Sequence, residues 1–449
     1  MSEKDNSPAA APQSLISMPD GVALVVGMVI GAGIFKAPSI VANNTASSAE
    51  FLFAWLLGGI ASLCGAFVYA ELSGRFPETG GEYRFLSRAY GPGTAFVFAW
   101  SRMTVIQTGA IAAIAFVFGE YAQQMLGLGA NGPAIYAALS VVALTALNVA
   151  GTAQSKNTQK IMEATLVTAL LTIGLAGMLA PMPAPVPMVK AVGGDFGLAM
   201  IFVLLTYGGW NEAAYIAGEV RNPRRNMTVI LVGGVVAVTA LYMLVNLGYL
   251  MALGLAGMRE SKAVAADLMR VVAGDAGAML LALVVCVSAL TTINAAILTG
   301  ARTNYAFGRD FAMFAHLGNW KHSGSTPANA LFLQGAISLV LIAASAFTPD
   351  GFSAMVAYTA PVFWTFFLLC GVALFVFRLR DGTPAGFRTP LYPLVPILFC
   401  AMCAYMLYSS INYVRFAVAF GVAVLAGIAV MAVGIPLYLA ARRGRRRSG

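Results

Sequence analysis

Gly27-Met28-Val29-Ile30-Gly31-Ala32-Gly33-Ile34-Phe35 sits inside the first long apolar stretch of this chain, and Leu204-Leu205-Thr206-Tyr207-Gly208-Gly209-Trp210-Asn211 sits inside the sixth. Each breaks an otherwise apolar run with glycines near its middle. Lipid offers no hydrogen bonds to an unwound backbone, so non-helical chain at that depth must line a cavity enclosed by protein. A pair of interrupted segments, one in each half of the molecule, is a sequence mark of a substrate site in a transporter.

Composition sets the surroundings of these breaks. Of 449 residues, 59% are hydrophobic and 10% charged, against about a quarter charged in an ordinary soluble domain. The chain therefore reads as an all-α polytopic membrane protein in the lipid bilayer. Residues 1–19 are polar, with Lys4 as the only basic residue. They read as a disordered tail and lack the pattern of a signal peptide. Cys64, Cys286, Cys370, Cys400 and Cys403 all fall in apolar segments, so neither disulfides nor a metal site is expected. The net charge of +9 is sorted by loop, which is a topology signal and not one for nucleic acid.

A membrane span needs about 20 apolar residues. Twelve are read at 20–42, 50–73, 94–120, 131–150, 158–181, 196–218, 228–254, 275–301, 329–347, 353–378, 389–411 and 416–440. With the N-terminus inside, the inner segments hold 20 Lys and Arg and the outer loops 5, namely Lys190, Arg259, Lys262, Arg270 and Arg415. Both termini are thus expected in the cytoplasm, and the protein in the cytoplasmic membrane. The basic run from Arg442 to Arg447 suits anionic lipid. The loops Arg75 to Pro92 and Gly308 to Thr326 carry aromatic and basic residues (Tyr83, Phe85, Arg88, Tyr90; Phe314, Trp320, Lys321), as expected of interfacial helices.

Gly31 and Gly208 are 177 positions apart and five spans apart. This spacing fits two five-helix repeats, the second inverted because each holds an odd number of spans. The units are then 1–19 (N-terminal tail), 20–181 (first repeat), 196–378 (second repeat), 389–440 (two further helices) and 441–449 (basic cytoplasmic tail). Free N–H groups at the first break, around Ile30, Gly31, Ala32, Gly33 and Ile34, suit a carboxylate. Free carbonyls from Leu205 through Thr206 and Tyr207 to Gly208 suit an ammonium. Together they would hold the zwitterionic head of an amino acid. Tight helix packing is the alternative use of such glycines.

The residues now quoted carry a resemblance. Gly31-Ala32-Gly33-Ile34-Phe35 with Pro38 resembles the first-helix signature of the amino acid–polyamine–organocation superfamily. Tyr69-Ala70-Glu71-Leu72, Pro77 and Gly80-Gly81-Glu82-Tyr83 resemble its loop between spans 2 and 3. Tyr207-Gly208-Gly209-Trp210-Asn211 and Glu219-Val220-Arg221-Asn222-Pro223-Arg224-Arg225 are similar to the L-type amino acid transporter branch. The resemblance spans nearly the whole chain. It implies the LeuT-like fold, two inverted five-helix repeats plus two helices, and amino acid or amine transport by alternating access. It also implies carboxylate binding near Ile30 to Gly33 and amine binding near Leu205 and Gly208. Leu205 stands where relatives place an aromatic lid, and Met227-Thr228 replaces their Ile-Pro.

The coupling ion is where this chain departs from some relatives. Ala169 takes the place of a lysine in span 5. Ser288, Thr291 and Thr292 share a face of span 8 and align with sodium-ligand positions. Carbonyls near Gly27 and Ile30 would complete five oxygens. The alternative is that Thr291 and Thr292 bond their own helix carbonyls. Exchange without a coupling ion is the leading expectation, with Na+ or H+ symport as the alternatives.

Charges inside spans each need a reason. Glu212 is read as contacting a cationic substrate group, carrying a proton, or pairing with Lys36 or a neighbouring hydroxyl. Lys36 is expected to snorkel outward or to bias the outer approach against cations. Arg102 is expected to bind backbone carbonyls or the inner gate. Asn211 and Asn294 are expected to bridge helices, and Gln107 and Thr108 to line the pocket. His316 and His322 fall in an inner loop away from the breaks. No cofactor, no catalytic group and no obligate partner is indicated, and an enzyme is not expected. A membrane sensor or channel is the rival class; it would need a soluble domain or a continuous polar lining.

Overall fold

The computed structural model describes residues 16–77, 80–151, 156–180, 194–320, 326–384, 386–412 and 418–447. Residues 1–15, Lys190, Lys321, His322 and Arg415 lie outside them, as do the side chains of Lys156, Lys160 and the basic run from Arg443. Among the described residues the elements are helical, with one isolated bridge between Ile16 and Val220.

Span 1 starts where Ser17 caps the helix and Pro19 fits its first turn; the Asp20 N–H donates to Ser17 Oγ at 3.4 Å. It runs Met18–Val29, breaks at Ile30 and Gly31, makes a 3-10 turn Ala32–Phe35 and resumes as Ala37–Asn43. Span 2 is Ser48–Arg75, capped by Ser47. The short helix Gly81–Tyr90 follows between spans 2 and 3. Span 3, Pro92–Met125, contains a π-turn at Arg102–Ile106. Spans 4 and 5 are Gly132–Val149 and Lys156–Leu179. Span 6 is α-helical over Phe196–Thr206 and 3-10 over Trp210–Glu219.

Span 7 is Pro223–Glu260, kinked at Gly254, and span 8 is Val264–Asp310, kinked at Gly274. A 3-10 turn, Ala312–Gly318, lies between spans 8 and 9. Spans 9 to 12 are Ala328–Ser345, Gly351–Asp381, Leu394–Asn412 and Val418–Arg447. Each of the twelve apolar stretches read from the sequence thus contains helix among its described residues, with breaks in the first and sixth. Among the described residues only 9 helices are long and apolar enough by themselves to cross a membrane. Spans 1 and 6 fall short because each is broken, and span 5 because its apolar helix is the shorter Glu163–Leu179.

Two groups of spans frame the breaks. Span 7 packs along span 2 and along the first half of span 1, and span 3 packs along spans 4, 8 and 10. The second group is joined by amides, which hold helices together where lipid gives no hydrophobic drive. Asn148 Nδ2 donates to Asn294 Oδ1 at 2.6 Å, Gln107 Nε2 to Ala296 O at 2.9 Å and Gln334 Nε2 to Ile297 O at 3.2 Å.

Candidate functional site at the paired breaks

The two breaks meet. Gly209 has φ +112°, and a Cβ built on it would overlap the Met28 carbonyl oxygen and lie 2.9 Å from Met28 C. A Cβ on Gly33 would come within 3.3 Å of Thr206 Oγ1. At Gly209 only glycine allows the two backbones this approach. At the first break the 3-10 turn begins at Ala32, so the amides of Gly31, Ala32 and Gly33 precede any intrahelical acceptor. Ala32 and Ile34 are buried, while Gly31 and Gly33 are partly accessible.

The second break is less open than the sequence indicates. The Gly208 N–H donates to Leu205 O at 2.9 Å, the Tyr207 N–H to Val203 O at 3.0 Å and the Gly209 N–H to Asn211 Oδ1 at 3.3 Å. The Thr206 carbonyl faces Tyr242 Oη at 3.2 Å, and that same hydroxyl reaches Val29 O at 3.0 Å. One tyrosine of span 7 therefore touches the last carbonyl before each break. Its ring stands 5.1 Å from Tyr207 and 5.9 Å from Trp55, and it is fully buried. Leu205 is half-buried beside this cluster.

The charges sort into two groups, one on each side of the breaks. Beyond the first break Lys36 Nζ lies 2.9 Å from Glu120 Oε1 and 3.8 Å from Asp350 Oδ1. Beyond the second break Arg102 Nη2 donates to both oxygens of Glu212 at 2.9 Å, and Arg102 Nη1 donates to Tyr215 Oη at 3.3 Å. Asn211 Nδ2 and Tyr69 Oη donate to Glu82 Oε1 at 2.9 and 3.0 Å, and Tyr215 Oη donates to Glu82 Oε2 at 2.7 Å.

Two expectations are corrected here. Glu212 does not pair with Lys36, because the halves of spans 1 and 6 that follow the breaks run to opposite sides. Arg102 takes carboxylates and a tyrosine instead of backbone carbonyls, which leaves its reading as a partner of the inner gate. Asn211 and Asn294 bridge elements as expected. Gln107 bonds span 8, and Thr108 bonds Thr104 O at 2.9 Å in its own helix.

At the candidate ion positions Thr291 Oγ1 donates to Val287 O at 2.9 Å and Thr292 Oγ1 to Ser288 O at 3.0 Å. The Ser288 hydroxyl is buried with no partner in the structure. Sequence reasoning missed Glu163, one and a half turns before Ala169. Its carboxylate packs on Gly27, where an added Cβ would stand 2.9 Å from Glu163 Oε1. It also missed Tyr242 and Glu82, whose roles depend on partners far along the chain. Among the described residues no group of three or more His, Cys, Asp or Glu could hold a metal ion.

The sequence profile of the amino acid permease family matches residues 16–435. The chain is 28% identical over 415 residues to the b(0,+)-type amino acid transporter 1 of Mus musculus, covering 89% of this chain and 83% of that one. It is 28% identical over 426 residues to the serine/threonine exchanger SteT of Bacillus subtilis (strain 168), covering 92% and 94%. It is 25% identical over 430 residues to the cystine/glutamate transporter of Homo sapiens, covering 93% and 83%.

Proposed function

Because this chain belongs to the amino acid permease family, we propose that it is a secondary transporter that exchanges amino acids by alternating access. The observation that carries this reading is the contact of the two broken spans at Gly209 and Met28, beneath a single tyrosine hydroxyl that touches both. The amides of Gly31, Ala32 and Gly33 bind the substrate carboxylate. The remaining carbonyl lone pairs around Leu205, Thr206 and Tyr207 bind its ammonium. Both clusters of charge lie off this cradle, so the head group is held by backbone dipoles without an ionised side chain. The similarity to the serine/threonine exchanger SteT supports exchange, and the engagement of Thr291 and Thr292 with their own helix favours it over sodium symport. The protein lies in the cytoplasmic membrane with both termini inside, as the distribution of Lys and Arg implies.

The test is counterflow in proteoliposomes. Labelled amino acids enter vesicles preloaded with unlabelled amino acid and do not enter empty ones. Failure of every common amino acid to enter preloaded vesicles overturns the assignment, and entry into empty vesicles driven by external sodium overturns the exchange mode. In the same assay Tyr242→Phe removes the donor shared by the two breaks. The lost ordering is about 1–2 kcal/mol, expected as a KM raised by about tenfold with folded yield unchanged. A KM equal to that of the unaltered protein denies the hydroxyl a positioning role.

A further inference from the structure

Glu82, Arg102 and Glu212 form a group in which one cation serves two carboxylates. The side chains of Glu82 and Arg102 are 3% and 7% exposed, and that of Glu212 is 34% exposed. Arg102 Nη1 stands 3.9 Å from Glu82 Oε2, so Glu212 has the guanidinium more fully. The titratable and charged groups facing Glu82 come from four spans. They are Tyr69 of span 2, Arg102 of span 3, Glu212 and Tyr215 of span 6, and Cys370 of span 10. Arg102 is the one cation among them. With both carboxylates ionised the group carries a net negative charge around the buried Glu82, which is costly without a further positive charge.

The neighbours of Glu82 pull in both directions. Burial pushes its carboxyl above the ordinary range; Arg102 opposes this, Glu212 adds to it, and the hydrogen bonds from Tyr215 and Asn211 oppose it. Burial is the largest of these influences. The group is also tied to the second break. The amide of Asn211 donates to Glu82, and its oxygen accepts from Gly209 N–H.

We propose that Glu82 binds one proton while the inner side is closed, leaving Arg102 to Glu212 alone, and returns that proton to the cytoplasm when the inner side opens. This rests on the reading of the chain as an alternating-access transporter. The sign follows from linkage. In the open state the carboxyl meets water, which relieves the burial that raises it. In the closed state it titrates higher, so closure takes up a proton. Low cytoplasmic pH therefore favours the closed inner side, and that advantage is lost as pH rises through the closed-state value. Asn211 transmits the change to the bend at Gly209.

Two measurements on the full chain test this. The first is counterflow in proteoliposomes of uniform orientation, with the two sides buffered separately. Lowering the cytoplasmic-side pH from about 8 to about 6 slows exchange by up to about tenfold per pH unit, the limit for one proton. Glu82→Gln fixes the neutral form and removes the response. Tyr215→Phe takes away a donor that favours the ionised form, and so moves the midpoint to higher pH; a merely structural role would leave the midpoint in place. The second measurement is difference infrared spectroscopy of the purified protein in lipid without substrate. It shows a protonated carboxyl band that Glu82→Gln deletes or, if that variant does not fold, that Tyr215→Phe moves to higher pH. Absence of counterflow with the band present defeats the transport reading and leaves the proton site standing. A pH response unchanged in Glu82→Gln, or no band that depends on Glu82 or Tyr215, overturns the proton site.

Discussion

Gly209→Ala is expected to cut exchange by at least about 100-fold while the protein still reaches the membrane. Two costs combine at this position. Its φ of +112° lies outside the region that an L side chain adopts, which costs on the order of 1–3 kcal/mol. The new methyl also meets backbone of span 1. It would stand 2.9 Å from Met28 C and 3.3 Å from Val29 Cα, and neither is the end of a flexible side chain. The contact is relieved only by moving the breaks apart, and a geometric error of an ångström in a binding cradle is itself costly. At about 1.4 kcal/mol per factor of ten, a combined loss near 3 kcal/mol gives the stated effect. Gly233→Ala is the control, because its Cβ meets Val22 Cγ2 at 3.6 Å, an ordinary contact far from the breaks. Counterflow and thermal melting of both variants, side by side, provide the measurement. Exchange by Gly209→Ala within about threefold of the unaltered protein would show that the approach of the two spans is not needed.

The breaks were legible because the cause is local. Glycines inside apolar runs speak for themselves, and their spacing needs no knowledge of partners. Even so, the sequence drew attention to Gly208, and it is Gly209 that takes the left-handed conformation. Nothing in a Gly-Gly pair tells which of the two bears the positive φ. The 3-10 form of Trp210–Glu219 was hidden for a related reason. Ten residues rich in alanine do not distinguish a period of 3.0 from one of 3.6. The charged groups were visible singly but not in pairs. Glu212 and Lys36 occupy corresponding places after their breaks, which invites a pairing in one dimension. In space the halves of spans 1 and 6 that follow the breaks run to opposite sides, so Lys36 finds Glu120 and Glu212 finds Arg102. Tyr242 and Glu163 were unreadable because their contacts to the breaks are set by how spans 5 and 7 pack.

Arg102→Met is expected to be the substitution most damaging to folding. It leaves Glu82 and Glu212 facing each other without a cation, and removing one partner of a buried ion pair costs about 3–5 kcal/mol. That is a large share of the stability of a folded protein, about 5–15 kcal/mol. The yield of monodisperse protein and its melting temperature should both fall sharply. If the charge imbalance is the cause, a second change should restore much of the loss. In Arg102→Met with Glu212→Gln, Glu82 remains as the only carboxylate, and it keeps the donors Tyr69, Asn211 and Tyr215. A double variant as unstable as the single one would show that shape, and not charge, is what Arg102 supplies. Arg102→Lys should fall between the two. An ammonium supplies the charge, but the guanidinium also lies over the Tyr215 ring at 4.6 Å while reaching Glu212 and the Tyr215 hydroxyl together. A lysine nitrogen is a compact point charge that cannot reproduce this planar, stacked fork, so some of the loss should remain with the net charge unchanged.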